Sequence, residues 1–287
     1  MKFTAKELRP VLDEMLARGT TALPADVLSA IKEAHSRESK DLAKKQLEAI
    51  LTSASISSDR LIPLCQDTGL VTLVVSGKLI DHPKDTEKAL EHAVRSLTRK
   101  SGMRANVVHP LTRVNTRTNI GMGQPEVLID RTAKKTMMTL LLKGGGSENF
   151  TNLKMMTPTA SRQDIFEHIL RTVIDAGGKT CPPNTLGIGI GGSAIQALFN
   201  SKLALLRPIG KRNPDEQIAA LESSLLQAVN GLGIGTMGMG GDTTALDVHV
   251  EIAGTHTASL PIAISFGCWA NRVVVAELKG RKFRITR

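Results

Sequence analysis

Three side chains in this chain could ligate a soft metal or attack an electrophile: Cys65, Cys181 and Cys268, its only cysteines among 287 residues. The thiolate is the working form of cysteine in both roles. An odd number of cysteines, far apart in sequence, argues against a disulfide framework. Metal ligand, nucleophile and inert core remain. Each cysteine stands beside a loop signal. Cys65 follows Pro63 and precedes Gln66-Asp67-Thr68-Gly69, Cys181 precedes Pro182-Pro183, and Cys268 lies between Gly267 and Trp269. The ends of elements are where a side chain can point into a shared cleft; inert cysteines more often sit inside apolar strands or helices. There is no C-x-x-C pair. Structural zinc takes four ligands, and its thiolates usually come as close pairs. Three thiolates from distant loops suit a cubane 4Fe–4S cluster, with three irons held and one free of protein ligands. That iron is a Lewis acid able to take a substrate hydroxyl and carboxylate, easing departure of hydroxide from carbon.

Glycine marks the other places where chemistry could sit. Glycine-rich turns occur at 144–146, 187–192, 231–241 and 267, and such turns let backbone N–H groups approach a ligand. The run Gly187-Ile188-Gly189-Ile190-Gly191-Gly192 invites a dinucleotide reading, but it fits G-x-G-x-G and has no acidic residue some twenty positions on. A tight strand-to-helix turn is the commoner meaning.

These residues need a frame. Leu8, Leu12, Met15 and Leu16 predict a helix over 4–18, stopped by Gly19. Residues 25–51 continue helically, so 1–60 reads as a helical N-terminal region. From 61 to 287 the texture is mixed and continuous with that lead. Strands are expected at 70–75, 126–130, 136–142, 185–190, 246–252, 260–266 and 272–277. Helices are expected at 85–99, 162–176 (capped by Ser161, stopped by Gly177), 193–205 and 214–229. In 246–252 apolar residues alternate with Asp247, His249 and Glu251, the period of a half-buried strand. His249 reads there as readily as a satisfied structural group. Interleaved strands and helices predict an α/β (mixed α+β) fold with mixed sheets forming the cleft.

Composition narrows the function. A 41% hydrophobic share supports a substantial core, while aromatics are 2%, with no Tyr and one Trp. The stacking platforms of nucleic-acid binders are nearly absent. A formal charge of +10 suits an anionic partner or metabolite, and the Lys and Arg residues are scattered. No apolar stretch reads as a signal peptide or a membrane span. The expected location is the cytoplasm, with no membrane or nucleic-acid partner.

Five blocks carry a resemblance. They are Pro63-Leu64-Cys65-Gln66-Asp67-Thr68-Gly69, Lys143 through Gly144-Gly145-Gly146 to Ser147-Glu148-Asn149, Cys181-Pro182-Pro183, Gly240-Gly241-Asp242-Thr243-Thr244-Ala245-Leu246, and His256 through Cys268-Trp269-Ala270-Asn271-Arg272. Together they resemble the alpha-type catalytic part of the class I fumarate hydratase and L-tartrate dehydratase iron–sulfur hydro-lyases, from about residue 40 to the last strands. The resemblance implies that Cys65, Cys181 and Cys268 hold the 4Fe–4S cluster. It implies that Gln66 and Asp67 face the substrate, with Asp67 relaying a proton to the departing hydroxide; Asp-Thr-Gly is also ordinary turn chemistry. Arg104 matches an arginine whose fork grips a substrate carboxylate, and the block 110–116 should lie nearby. Gly145 and Gly146 would offer backbone N–H groups to a carboxylate, and His256 matches an active-site histidine.

The resemblance also implies partners. Relatives with one chain continue into a second domain that supplies the catalytic base; here the sequence ends at Arg287, so a separate beta subunit is expected, around an alpha homodimer within a heterotetramer. A second arginine often follows the position of Arg272, but this chain has Val273. The expected substrate is a small hydroxy-dicarboxylic acid, malate/fumarate first and L-tartrate as the alternative. A basic metal-binding protein associated with nucleic acid, and a homologue that has lost catalysis, are the readings from other classes.

Overall fold

The computed structural model describes residues 3–287. In chain order it forms α1 (Ala5–Thr21), α2 (Ala25–Arg37), α3 (Asp41–Arg60), β1 (Leu70–Ser76), α4 (Pro83–Arg99), β2 (Glu126–Asp130), β3 (Met137–Lys143), the single turn α5 (Gly145–Glu148), β4 (Asn152–Met156), α6 (Arg162–Ala176), β5 (Asn184–Gly191), α7 (Ala194–Leu206), α8 (Glu216–Gly231), β6 (Ala245–Ala253), β7 (Leu260–Gly267), β8 (Arg272–Lys279) and β9 (Lys282–Ile285). The class is mixed α/β with a helical lead, as the periodicity predicts.

Local chemistry sets many boundaries. Thr4 caps α1, and Glu7 returns the bond to the Thr4 N–H at 2.9 Å; Ser161 and Asp164 do the same for α6. The helical stretch expected over 25–51 is instead two helices, and the second runs on to Arg60. The break is tertiary. The Glu38 carboxylate accepts the Lys40 N–H at 3.1 Å and the Asp242 N–H at 3.0 Å, while Asp242 accepts the Ser39 N–H at 2.8 Å. Strands β4 and β9 have no strong strand signal; each is a short edge strand whose pairing comes from a neighbour.

The described residues divide into two compact units. The first takes the chain up to Pro24, Ser53–Gly145 and Arg272–Arg287. Its five-stranded sheet has the order β2-β1-β3-β8-β9, with β1 and β2 parallel and the other pairs antiparallel. Its core joins Leu8, Leu12, Met15 and Leu16 of α1, Leu90 and Val94 of α4, and inward residues of β1, β3 and β8. At ~25 cal/mol per Å² of apolar surface, such aliphatic packing is the main stabilising term in a chain with so few aromatics.

The second unit takes Ala25–Thr52 and Gly146–Asn271. Its four-stranded sheet has the order β4-β7-β5-β6, with β5 parallel to β6 and antiparallel to β7. Helices α6 and α8 pack on one face through Ile169, Val173, Leu225 and Val229 against Leu186, Ile188, Val248, Val250 and Phe266. Helix α7 lies on the other, where Ser201 Oγ and Ser265 Oγ share a hydrogen bond of 2.8 Å. Here the glycine run gains its meaning. A Cβ on Gly187 would lie 2.1 Å from the Ser201 carbonyl oxygen, and one on Gly189 would lie 2.0 Å from that of Ala197. Those two glycines bring strand and helix together inside β5; Gly191 (φ 83°) and Gly192 (φ 73°) make the turn. Strand β6 departs from the half-buried expectation. Its polar residues Asp247 and His249 are fully buried.

Candidate active site

In the first unit the site is built on the loop from Pro63 to Gly69, between α3 and β1. Thr68 Oγ1 donates to the Cys65 carbonyl at 2.8 Å, curling the loop on itself. The Arg272 guanidinium, at the start of β8, donates through Nη1 to Thr68 Oγ1 and through Nη2 to the Asp67 carbonyl at 3.2 Å. Arg272 is fully buried, so its charge is stabilised by oxygens it also holds in place. The Gly145 N–H donates to Asp67 Oδ1 at 3.0 Å, so this glycine does offer its amide to a carboxylate, one belonging to the chain itself. Gly144 must be glycine, because a Cβ there would lie 2.3 Å from Asp67 Oδ2. The result is an exposed carboxyl with a fixed orientation.

Arg104 is exposed, on the segment that follows α4. Asn119 fixes that segment. Its Nδ2 donates to the Arg104 carbonyl at 2.8 Å and to Thr98 Oγ1 at 3.0 Å, while its Oδ1 accepts the Asn106 N–H at 2.7 Å and the Val107 N–H at 3.2 Å. Asn106 Nδ2 in turn donates to the Gln66 carbonyl at 3.0 Å, and a Cβ on Gly69 would lie 2.4 Å from the Asn106 Cβ. The segment carrying Arg104 and the loop carrying Cys65, Gln66 and Asp67 are therefore bonded together within this unit.

In the second unit Cys181 and Cys268 are neighbours. Cys181 stands before β5 and Cys268 directly after β7; these strands are antiparallel, with Thr185 opposite Gly267. The Trp269 N–H donates to the Cys181 carbonyl at 3.0 Å. Buried Asn184 ties both approaches, since its Nδ2 donates to the Thr180 carbonyl at 3.1 Å and the Gly267 carbonyl at 3.0 Å. Cys181 itself takes a left-handed conformation with φ of 54°, uncommon for a residue with a Cβ. All three cysteines are half-buried rather than core. Among the described residues no three His, Cys, Asp or Glu side chains gather tightly enough for one metal ion. Three thiols are the donor chemistry that a 4Fe–4S cluster takes, one for each of three irons.

His256 is exposed in the turn before β7. Its Nδ1 accepts the Ala258 N–H at 3.1 Å, which leaves the neutral ring its proton on Nε2. His249 is a structural residue, bonded to the Ala204 carbonyl at 3.1 Å and to Asp247 Oδ2 at 3.0 Å. Asp247 belongs to a buried ionic group with Arg212, while Arg207 and Arg212 both reach Glu222. Burial pushes the Asp247 carboxyl up, but His249, the Gly210 amide and Arg212 outweigh it and hold it below the usual carboxylate range. Burial likewise disfavours charged Arg207, yet Glu251 and Glu222 raise it above its ordinary value.

Sequence reasoning did not single out Asn106, Asn119 and Asn184, and it named Arg272 only as the end of a motif. Asparagine in a loop tolerates positive φ and bonds backbone readily, a signal present at Asn119 (φ 56°) but shared by many surface turns. Among the described residues no helix is long and apolar enough to cross a membrane.

The chain is similar to known proteins over most of its length. Residues 10–277 match the model of the family described as fumarate hydratase (Fumerase). A protein of Methanocaldococcus jannaschii named "Putative L(+)-tartrate dehydratase subunit alpha" is 43% identical over 279 residues, covering 95% of this chain and 98% of that protein. The L(+)-tartrate dehydratase subunit alpha of Escherichia coli (strain K12) is 30% identical over 269 residues, covering 93% of this chain and 89% of its own length. With the cysteine loops, the oriented carboxyl and these matches in hand, the chain belongs to the fumarate hydratase (Fumerase) family of hydro-lyases.

Proposed function

We propose that this chain is the alpha subunit of a cytoplasmic enzyme that reversibly dehydrates a small hydroxy-dicarboxylic acid, with Cys65, Cys181 and Cys268 as the ligands of a 4Fe–4S cluster. The observation that carries the reading is the Asp67 carboxyl, two residues from Cys65 and held by the Gly145 N–H at 3.0 Å. Such a cluster, when bound, supplies an iron without a protein ligand as the Lewis acid for the departing hydroxyl. Asp67 gives a proton to that hydroxyl oxygen and takes one back in hydration. Arg104 binds one substrate carboxylate through its guanidinium fork. Gln66 and the Gly146 N–H position the substrate, and His256 Nε2 is a further proton donor. The proton on carbon leaves to a base on a separate beta subunit. The net charge of +10 draws in the dianionic substrate. An alpha homodimer within a heterotetramer completes the assembly.

We place L-tartrate first as substrate, because both named relatives carry that activity in their names over nearly the whole chain. Malate/fumarate, first on the sequence motifs alone, is the second reading, and the family's description favours it. The test is anaerobic reconstitution with iron and sulfide, addition of a beta-type chain, and assay of L-tartrate, malate, fumarate and mesaconate. Formation of oxaloacetate and water from L-tartrate is the expected result. A cluster-loaded complex that turns over none of the four would overturn the proposal.

A further inference from the structure

The stretch that anchors Arg104 continues outward as two turns with no evident use within the chain. Residues 107–116 form a hairpin. The Thr116 N–H donates to the Val107 carbonyl at 3.0 Å and the His109 N–H to the Val114 carbonyl at 2.8 Å. At the tip, the Arg113 N–H donates to the His109 carbonyl at 2.9 Å, and His109 Nδ1 accepts the Leu111 N–H at 3.3 Å and the Thr112 N–H at 3.2 Å. A second turn closes with paired bonds between Gly121 and Gln124, and Gly121 stands against Val107, where a Cβ would lie 2.9 Å from Val107 Cγ1.

With the tip's backbone so engaged, large apolar side chains point outward. Leu111 is 86%, Val114 66% and Met122 86% exposed; among the described residues no large hydrophobic side chain is more exposed than Leu111 and Met122. Arg113 (φ 60°) and Arg117 (φ 58°) are held in the left-handed region, a strained shape that is usually kept where function uses it. A loop that shows leucine, valine and methionine to water on a fixed scaffold has the composition of a binding surface.

We infer that this hairpin and the adjoining turn are the docking surface for the beta-type chain, which receives Leu111, Val114 and Met122 in an apolar recess rimmed by Asp and Glu. The inference rests on the two-chain reading above. Charge selects this occupant over a second copy: residues 101–125 hold Arg104, Arg113 and Arg117 and no Asp or Glu, so two copies would oppose like charges. Position supports it too. Through Asn119 and Asn106 the hairpin root is bonded to the Arg104 segment and the Gln66 carbonyl, so a chain seated here stands beside the residues it must complete.

The experiment titrates the purified beta-type chain into the wild-type protein, the Leu111→Ser/Val114→Ser variant and the Arg113→Glu/Arg117→Glu variant, each checked for an unchanged melting temperature. The apolar pair should weaken binding roughly 30-fold or more, as loss of an interface centre does. Charge reversal should weaken it about tenfold at low salt, with less effect at high salt. Amide exchange across 107–117 should slow on binding in the wild type, a readout that needs no variant. Wild-type affinity in both variants with no change in exchange would overturn the inference and leave the two-chain enzyme standing. So would a dimer of this chain alone that the substitutions dissociate while beta binding is untouched. Failure of the wild-type protein to bind the beta-type chain would overturn the two-chain reading and this inference together.

Discussion

At the residue scale the proposed proton carrier and the proposed cluster cysteines make separable demands. Asp67→Asn keeps an oxygen to accept the Gly145 N–H but cannot carry a proton. Its kcat should fall by about 10²–10⁴, the usual contribution of general acid–base catalysis, with KM little changed. A loss under tenfold in steady-state assays would remove Asp67 from the proton path. For the thiolates, Cys65→Ser, Cys181→Ser and Cys268→Ser should each lose the visible absorption of the reconstituted cluster. Retention of that absorption in any one of them strikes that cysteine from the ligand set. Asn184 and Arg272 act through others: one is a buried amide between the two cysteine approaches, the other a buried cation under Thr68 and Asp67.

At the element scale, α7 sits against β5 only because two strand positions lack a side chain. Gly189→Ala would set a Cβ 2.0 Å from the Ala197 carbonyl and 2.8 Å from the Ser201 amide. Both obstacles are backbone, so the helix must move. The expected cost is about 1–3 kcal/mol or more, read as a lower urea midpoint at constant m-value; an unchanged midpoint would mean that the helix shifts freely. The outer edge of β6 shows a second device. Arg207 and Asn213 each donate to the Val250 carbonyl at 3.0 Å, and Glu222 accepts the Val250 N–H at 2.8 Å. Side chains thus occupy an edge that would otherwise pair with another strand.

For the whole molecule, the buried ionic group of the second unit ties stability to pH. The folded carboxyl of Asp247 titrates below the usual carboxylate range, because His249, the Gly210 amide and Arg212 outweigh its burial. Its contribution is therefore fully present above the unfolded pKa and is lost as pH falls through the lower folded value. Thermal melts should drop most steeply below about pH 4, where the unfolded carboxyl takes up its proton before the folded one. Asp247→Asn should lower the neutral melting temperature and shrink that acid drop. A melting temperature that holds steady down to pH 3 would contradict this account.

The amino-acid sequence determined the class, nearly every helix and strand and the loop positions of the cysteines, because capping residues, apolar periods and turn residues are local signals. Ser161 and Gly177 bounded α6 on their own. The tertiary structure alone decided what those local signals could not carry. The break between α2 and α3 needed Asp242, some two hundred residues away. Strand β6 alternates like a half-exposed strand, yet Asp247 and His249 are buried, because Arg212, Gly210 and Ala204 supply partners that no nearby residue announces. The division into two units from interleaved stretches was equally illegible. Hydrogen-bond partners remote along the chain are set by packing, and a one-dimensional pattern does not record which remote residue arrives.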